Sequence, residues 1–103
     1  MIRALYTSIV QDNGNIVIQL SGKSHPLFKA HFPNNPILPG FALIDIIGEA
    51  LLDEVVSIHK SKFIRNIFPN DMLECEVTIN EKRRTVKIFR DKEKVSEVVY
   101  ETK

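Results

Sequence analysis

The segment from His25 to Glu49 constrains the fold most, because it joins a proline-rich loop directly to an apolar segment. Four of the five prolines of the chain lie in it. Each proline fixes its own φ and pushes the preceding residue towards extended conformations. The loop carries His31 and ends at Pro39-Gly40, and almost every residue from Phe41 to Leu52 is apolar. We therefore predict a stiff, irregular loop followed by a helix, with a candidate site where the two meet.

The helix is predicted from Gly40 to about Asp53, and its apolar residues cover nearly its whole circumference. It should therefore be buried on most sides. Asp45, Glu49 and Asp53 follow one another every four residues, so they are predicted to share one face. Gly48 costs up to ~1 kcal/mol of helix propensity relative to alanine, which indicates a close approach by another part of the molecule.

The remaining segments have strand patterns. Residues 3–10 and 16–20 flank the turn signal Asp12-Asn13-Gly14, which predicts an N-terminal β-hairpin. After the helix, residues 55–67 include Ile58 and Phe63, which a regular strand would place on opposite faces of the sheet. The segment is therefore predicted to form one long strand with a bulge or two shorter pieces. Three further strands are predicted around residues 73–79, 86–88 and 95–100. The predicted fold class is α+β, one domain over residues 1–103.

The composition excludes several functional classes. The formal net charge of +1 gives no argument for nucleic acid or an anionic membrane as a partner. A single cysteine excludes an internal disulfide framework and fits a reducing compartment. The longest apolar run is far below the ~20 residues that span a bilayer, and the first ten residues lack the apolar core of a signal peptide. We expect a soluble, cytoplasmic protein.

Three residues are candidates for chemistry. His31 lies in a proline-braced loop, and an imidazole group in general suits the role of a general base near neutral pH, although a lone histidine is more often structural. Asp45 lies one turn into an apolar helix, so its carboxyl group is either solvent-facing or buried with a raised pKa as a proton donor. Gly40 could offer a helix N–H to a carbonyl oxygen that gains negative charge, or it could simply mark the helix boundary.

Other polar groups are weaker candidates. His25 and His59 are scattered, and with one strand cysteine they give no zinc-binding spacing. No phosphate loop, serine nucleophile elbow or dinucleotide motif is present. A basic cluster comprises Lys82, Arg83, Arg84, Lys87 and Arg90. It is interpreted as a solvated hairpin or, alternatively, as a docking patch for an acidic partner.

The run His31-Phe32-Pro33-x-x-Pro36-Ile37-Leu38-Pro39-Gly40, followed by Asp45, resembles the signature of the β-hydroxyacyl-acyl-carrier-protein dehydratases. This is a hotdog-fold family of the FabA/FabZ type. The similarity continues at Lys62-Phe63, at Ile67 and in the run Pro69-Asn70-Asp71-Met72-Leu73. It covers roughly half of the chain closely.

The resemblance implies a hotdog fold, in which a curved antiparallel sheet wraps a long central helix. It implies a homodimer, open to further assembly, with active sites at the interface, where His31 of one chain meets Asp45 of the other. His31 would act at C2 of a β-hydroxyacyl thioester carried on acyl carrier protein, Asp45 would assist loss of the hydroxyl as water, and Gly40 would polarise the carbonyl. The substrate-binding or supporting residues would be Phe32, Pro39, Phe41 and Glu49. No metal or redox cofactor is needed.

The sequence departs from the family pattern at three positions. Ala30 and Asn34 replace glycines that usually flank the histidine motif, and Glu49 replaces a common glutamine one turn past the acid. An aspartate at position 45 resembles the branch that can also isomerise the double bond. Two alternatives therefore stay open: a hotdog acyl thioesterase, and a non-catalytic subunit that binds acyl carrier protein.

Overall fold

A computed structural model describes residues 4–30 and 34–103 of the chain. His31 and Phe32, two of the predicted site residues, lie outside the described residues. The elements in chain order are β1 (Tyr6–Val10), β2 (Ile16–Leu20), α1 (Pro26–Ala30), α2 (Gly40–Ala50), β3 (Val55–Phe63), β4 (Met72–Asn80), β5 (Arg83–Arg90) and β6 (Glu93–Thr102).

The six strands form one sheet in the order β1-β2-β4-β5-β6-β3, and neighbouring strands run antiparallel. The strand that directly follows α2 in sequence therefore lies at one edge, beside the last strand of the chain. The predicted α+β class and the N-terminal hairpin are confirmed. So is the irregularity of the first strand after the helix, because β3 pairs with β6 through register shifts between Val55 and Ser57 and between Ile58 and Lys60.

Short turns connect the later strands. Asp91 and Lys92 both adopt positive φ, at 51° and 67°, between β5 and β6. Two central residues with positive φ twist a hairpin in the same sense as its strands, which suits a two-residue connection. Gly14 has a φ of 87° in the first hairpin, where glycine carries no steric penalty.

Helix α2 buries one side against the sheet. Its buried residues are Ala42, Leu43, Ile46, Ile47 and Gly48. The core that they join includes Ile16, Ile18, Leu73, Val86, Ile88, Val98 and Tyr100 from the strands. The expected close approach at Gly48 is confirmed, because a Cβ added there would come 3.1 Å from Cγ2 of Val55. The expected burial on most sides is wrong, since Phe41 is 56% exposed and Asp45 and Glu49 face outward.

The predicted C-terminal boundary of the helix, at about Asp53, is also wrong, because the helix ends at Ala50. Leu52 adopts a φ of 57°. Its N–H donates to Glu49 O at 3.1 Å, and the N–H of Asp53 donates to Gly48 O at 2.8 Å. This is the Schellman pattern, in which a left-handed residue terminates the helix and satisfies its last carbonyl groups. Asp53 consequently does not share the helical face of Asp45 and Glu49.

The loop prediction needs one correction. Residues Pro26–Ala30 form the short helix α1, with Leu27 and Phe28 buried, so the proline-rich segment is not irregular throughout. Proline is compatible with the first turn of a helix because its missing N–H is not needed there.

Candidate functional site

The start of α2 is fixed by contacts on both sides of Pro39. Leu38 donates its N–H to Ile67 O at 2.7 Å, which ties the loop to the segment after β3. Pro39 is extended, with φ −69° and ψ 150°, and its carbonyl oxygen accepts from the N–H groups of Ala42 and Leu43. The position of Gly40 at the first helical residue is therefore set by a backbone that has little freedom.

Gly40 offers an amide group without a partner in residues 4–30 and 34–103, since its N–H donates to no residue there. Such an N–H at a helix start carries part of the positive end of the helix dipole. The phenyl ring of Phe63, the last residue of β3, lies over the glycine, and a Cβ added to Gly40 would come 2.6 Å from its Cζ atom. Only glycine fits this position without moving the ring.

A cavity of about 260 Å³ lies next to this amide. Its apolar walls include Ile37, Leu43 and Ile67, and Phe63 forms one side. Arg65 also lines the cavity, and its guanidinium group pairs with the carboxylate of Glu93 at 3.2 Å. An apolar recess beside a helix N–H that no described residue accepts can hold a carbonyl compound with an apolar substituent.

The outer face of α2 carries Phe41, Asp45 and Glu49, and all three side chains are exposed. The sequence left Asp45 either solvent-facing or buried, and in the single chain it is solvent-facing. The carboxylate of Glu49 is not free, because the hydroxyl group of Tyr6 donates to its Oε1 atom at 2.6 Å. Burial and this hydrogen bond raise the pKa of the Tyr6 hydroxyl well above its ordinary value, so Tyr6 remains a donor. Sequence reasoning missed Tyr6, because only the fold brings β1 beside α2.

Asp53 belongs to a separate network below the helix. Its Oδ2 atom accepts from the hydroxyl group of Tyr100 at 2.6 Å and from Nε of Arg84 at 3.1 Å. The Asp53 side chain is only 7% exposed. Burial and the bond to Asp53 raise the pKa of Tyr100. This network anchors the end of α2 to β5 and β6, and it is structural because it lies apart from the Gly40 cavity.

The basic cluster predicted near the C-terminus does not form one surface. Arg84 is engaged by Asp53, and Arg90 pairs with Asp71 at 2.6 Å while its Nη1 also donates to Asn66 O at 2.8 Å. Alternate residues of a strand point to opposite faces of the sheet, which separates the members of the run. Two of the five basic residues are therefore already paired within the chain, which argues against a continuous docking patch for an acidic partner.

Neither of the other two histidines is among the described residues that line the cavity beside Gly40. His59 Nε2 lies 2.9 Å from a carboxylate oxygen of Glu101 on the neighbouring strand. Nδ1 of His25 accepts from the N–H of Leu27 at 3.0 Å, at the start of α1. Among the described residues no group of three or more His, Cys, Asp or Glu side chains could hold a metal ion. In the same part of the chain no helix is long and apolar enough to cross a membrane.

Five of the predicted site residues lie along α2 or at its N-cap: Pro39, Gly40, Phe41, Asp45 and Glu49. The fold is α+β, with a six-stranded antiparallel sheet and a helix whose start opens on an apolar cavity. The family model described as "ApeI-like: ApeI dehydratase" matches residues 8–101. The chain belongs to this ApeI-like dehydratase family, and the predicted FabA/FabZ-type membership is confirmed.

Individual relatives agree with this assignment. The chain is 29% identical over 93 residues to the 3-hydroxyacyl-[acyl-carrier-protein] dehydratase FabZ of Ehrlichia ruminantium, covering 76% of this chain and 64% of that enzyme. It is 32% identical over 82 residues to the FabZ of Ruegeria sp., covering 65% of this chain and 51% of that enzyme. The chain thus spans about half to two thirds of the length of these relatives.

A solved structure is similar over nearly the whole chain. It is the dehydratase heterocomplex ApeI:P from Xenorhabdus doucetiae, with a TM-score of 0.73, 25% identity and 92% of each chain covered. An uncharacterised protein from Erwinia carotovora has the same fold, with a TM-score of 0.63 and 20% identity.

Proposed function

We propose that the protein is a dehydratase that removes water from a β-hydroxyacyl thioester carried on acyl carrier protein. The observation that carries the proposal is the N–H of Gly40, which has no acceptor among the described residues and lies beside an apolar cavity, in a chain of the ApeI-like dehydratase family. FabZ relatives are named for this reaction. We further propose that the protein is a single hotdog domain, that it acts in the cytoplasm and that it needs no metal or redox cofactor.

The proposed reaction gives each candidate group one role. The thioester carbonyl oxygen accepts the hydrogen bond of the Gly40 N–H, which stabilises the negative charge that develops when a proton leaves C2. His31 takes that proton. The C2–H electron pair forms the C2–C3 double bond, the C3–O bond breaks, and protonated Asp45 gives its proton to the departing hydroxyl, which leaves as water. The cavity takes an apolar part of the acyl group, with Pro39 and Phe41 as supporting residues and Phe32 assigned by the motif.

A second copy of the chain is part of the proposal. Strand β3 lies at the edge of the sheet, so no described strand pairs with the backbone N–H and C=O groups on its second side. Val56 and Ile58 on this strand are 57% and 51% exposed, unusually apolar for an unpaired edge. Pairing through β3 would cover these side chains and shield Asp45, which water reaches in the single chain. His31 and Asp45 of different chains would then form each site, in a dimer able to assemble further. A related but different chain is the alternative partner, as in the ApeI:P heterocomplex.

The proposal is tested by incubating the purified full chain with β-hydroxyacyl and saturated acyl thioesters on acyl carrier protein and identifying the products by mass spectrometry. Enoyl thioester from the first substrate is expected, and its formation should be abolished by His31→Ala and reduced at least 100-fold by Asp45→Asn. Free thiol without enoyl product would identify a thioesterase instead. Binding of acyl carrier protein without turnover of either substrate would identify a non-catalytic subunit.

A further inference from the structure

The cavity beside Gly40 is bounded on one side by residues 64–71, the segment that joins β3 to β4. Asn66 and Ile67 of this segment line the cavity, and the side chain of Ile67 is buried. The carbonyl oxygen of Ile67 also accepts the N–H of Leu38 at 2.7 Å. Ile67 therefore forms part of the cavity wall and at the same time ties down the backbone two residues before Gly40.

Both peptide groups that flank Ile67 are held by one ion pair. Oδ2 of Asp71 accepts the N–H of Phe68 at 2.8 Å, and this N–H belongs to the same planar peptide group as the Ile67 carbonyl. On the other side, Nη1 of Arg90 donates to Asn66 O at 2.8 Å and to the same Asp71 oxygen at 2.6 Å. The direction in which the Ile67 carbonyl points is therefore set by Asp71 and Arg90.

Little freedom remains between the Ile67 carbonyl and the amide of Gly40. Leu38, whose N–H is held by Ile67, is followed directly by Pro39, and the proline ring fixes φ at −69°. The N–H of Gly40 belongs to the next peptide group. A displacement of the Ile67 carbonyl is therefore passed on to the Gly40 N–H, which has no acceptor among the described residues.

The ion pair lies behind the cavity wall. Both of its side chains are partly buried, and the guanidinium group of Arg90 lies over the ring of Phe68, 5.6 Å from its centroid. Neither Asp71 nor Arg90 is among the described residues that line the cavity. A substrate in the cavity would therefore feel the pair only through the backbone that the pair holds.

We propose that Asp71 and Arg90 are positioning residues for the dehydration, which hold the Gly40 N–H in the direction that stabilises the thioester carbonyl oxygen. The inference rests on the proposed function of Gly40 in that reaction. The N–H must point at this oxygen while its negative charge develops, and a small error in direction weakens the stabilisation. Asp71 acts through the peptide group of Phe68, and Arg90 keeps Asp71 and Asn66 O in place.

The kinetic test compares Asp71→Ala with Asp71→Asn. Asp71→Ala removes the acceptor of the Phe68 N–H, so kcat for dehydration should fall about 10- to 100-fold while KM changes less than about 3-fold. Asp71→Asn should keep kcat within about 3-fold of the wild type, because an amide oxygen has two lone pairs and can accept from both Phe68 and Arg90. An equal loss in the two variants would overturn the inference, since the charge of Asp71 and not its hydrogen bonds would then matter.

The position of the Gly40 amide can be followed without turnover. The chain has four glycines, so protein carrying an NMR-active nitrogen isotope only at glycine gives four amide signals, and Gly40→Ala identifies the signal of Gly40. Asp71→Ala should move this signal and leave those of Gly14 and Gly48 in place, whereas Asp71→Asn should leave all of them near their wild-type positions. An unmoved Gly40 signal in Asp71→Ala would overturn the inference.

Tyr100→Phe is the control for a general loss of stability. It removes one hydrogen bond to Asp53, apart from the cavity, so it should lower the urea midpoint without changing kcat or the Gly40 signal. A shift of that signal in Tyr100→Phe would show that any destabilisation moves this amide, and would overturn the inference. If Asp71→Ala does not fold, Arg90→Ala replaces it, with an expected fall in kcat of about 3- to 10-fold because Asp71 then still holds Phe68.

A substrate without its carrier protein separates positioning from docking. With a β-hydroxyacyl thioester of N-acetylcysteamine, Asp71→Ala should lose as much kcat as it does with the substrate on acyl carrier protein. A loss confined to the carrier-bound substrate would mean that the ion pair docks the carrier, and would overturn the inference. Failure of the proposed function is distinguishable, because the wild type would then form no enoyl product, while the Gly40 signal would still report whether Asp71 positions the amide.

Discussion

The phenyl ring of Phe63 lies directly over Gly40, so that a Cβ on the glycine would come 2.6 Å from Cζ of the ring. The two residues bring the end of β3 and the start of α2 together at the cavity. The same contact explains why the helix begins with glycine, a residue that its propensity does not favour.

Gly40→Ala should therefore displace the ring into the cavity. Because Cζ is the far end of a half-exposed side chain, we expect a loss of only about 1 kcal/mol in the free energy of unfolding, with a fall of at least 10-fold in kcat/KM. Urea unfolding and the dehydration assay measure the two effects.

Gly22→Ala is the matched control, since its Cβ would meet only the Asn70 side chain at an ordinary 3.5 Å. It should change neither stability nor turnover. Adding Phe63→Ala to Gly40→Ala should restore part of the activity by clearing the ring. Full activity of Gly40→Ala alone would contradict the role of this helix start.

Asp53 is expected to be the acid whose loss destabilises the fold most. Asp53→Ala leaves the Arg84 guanidinium and the Tyr100 hydroxyl without their partner, and breaking such a buried pair costs about 3–5 kcal/mol. Tyr100→Phe removes one hydrogen bond and should cost about 1–2 kcal/mol. Chemical denaturation measures both values. Asp45→Ala, on the exposed face of α2, is the control and should change stability by less than about 0.5 kcal/mol.

Because of Glu97, the free energy of unfolding should fall as the solution becomes acidic. Hydrogen bonds from Lys94 and Lys60 lower the pKa of its carboxyl group from 4.5 to about 2. The folded-state pKa lies below the unfolded value, so the stabilisation is complete above pH 4.5 and is lost as the pH falls towards 2. The lysines are partly exposed, so the effect should be about 1 kcal/mol.

The measurement compares the free energy of unfolding of the wild type and Glu97→Gln between neutral pH and the acid range. The difference between the two proteins should shrink as the pH falls. Glu93→Gln removes a more exposed pair with Arg65 and should show little pH-dependent difference. A constant difference between wild type and Glu97→Gln would mean that the carboxyl group is not stabilised in its ionised form.

The proposed interface site predicts complementation between two inactive variants. If His31 and Asp45 of different chains form each site, a mixed dimer of His31→Ala and Asp45→Asn contains one intact site and one doubly altered site. Random mixing gives half mixed dimers, so about one quarter of wild-type activity should return after co-refolding. Sites formed within one chain would give no recovery. Sedimentation analysis of the mixture verifies that dimers have formed.

Local chemistry made much of the fold predictable from the sequence. The alternation of apolar and polar residues predicted the N-terminal hairpin and the later strands. The irregularity in β3 was predicted because a regular strand would place Ile58 and Phe63 on opposite faces. Pro39-Gly40 predicted the start of α2, because proline stiffens the approach and glycine permits close packing. The close approach at Gly48 was also predictable, since a buried helical glycine loses propensity for a packing reason.

The tertiary structure decided which polar groups meet. The sequence placed Asp45, Glu49 and Asp53 on one helical face, but a left-handed Leu52 ended the helix and sent Asp53 to Arg84 and Tyr100. Helical spacing cannot predict a boundary that is set by the capping hydrogen bonds at its end. The catalytic role of His31 stays a prediction from the motif, because this residue lies outside those that the structure describes.

The sequence by itself determined the family, the α+β class and the candidate acid, because these follow from a motif and from periodicities within neighbouring residues. Only the tertiary structure brought Tyr6 to Glu49 and Phe63 to Gly40. These contacts join residues that are far apart in the chain, and sheet pairing and helix packing determine their distances. The hydrogen bonding on the outer face of α2 and the shape of the cavity therefore depend on the fold as a whole.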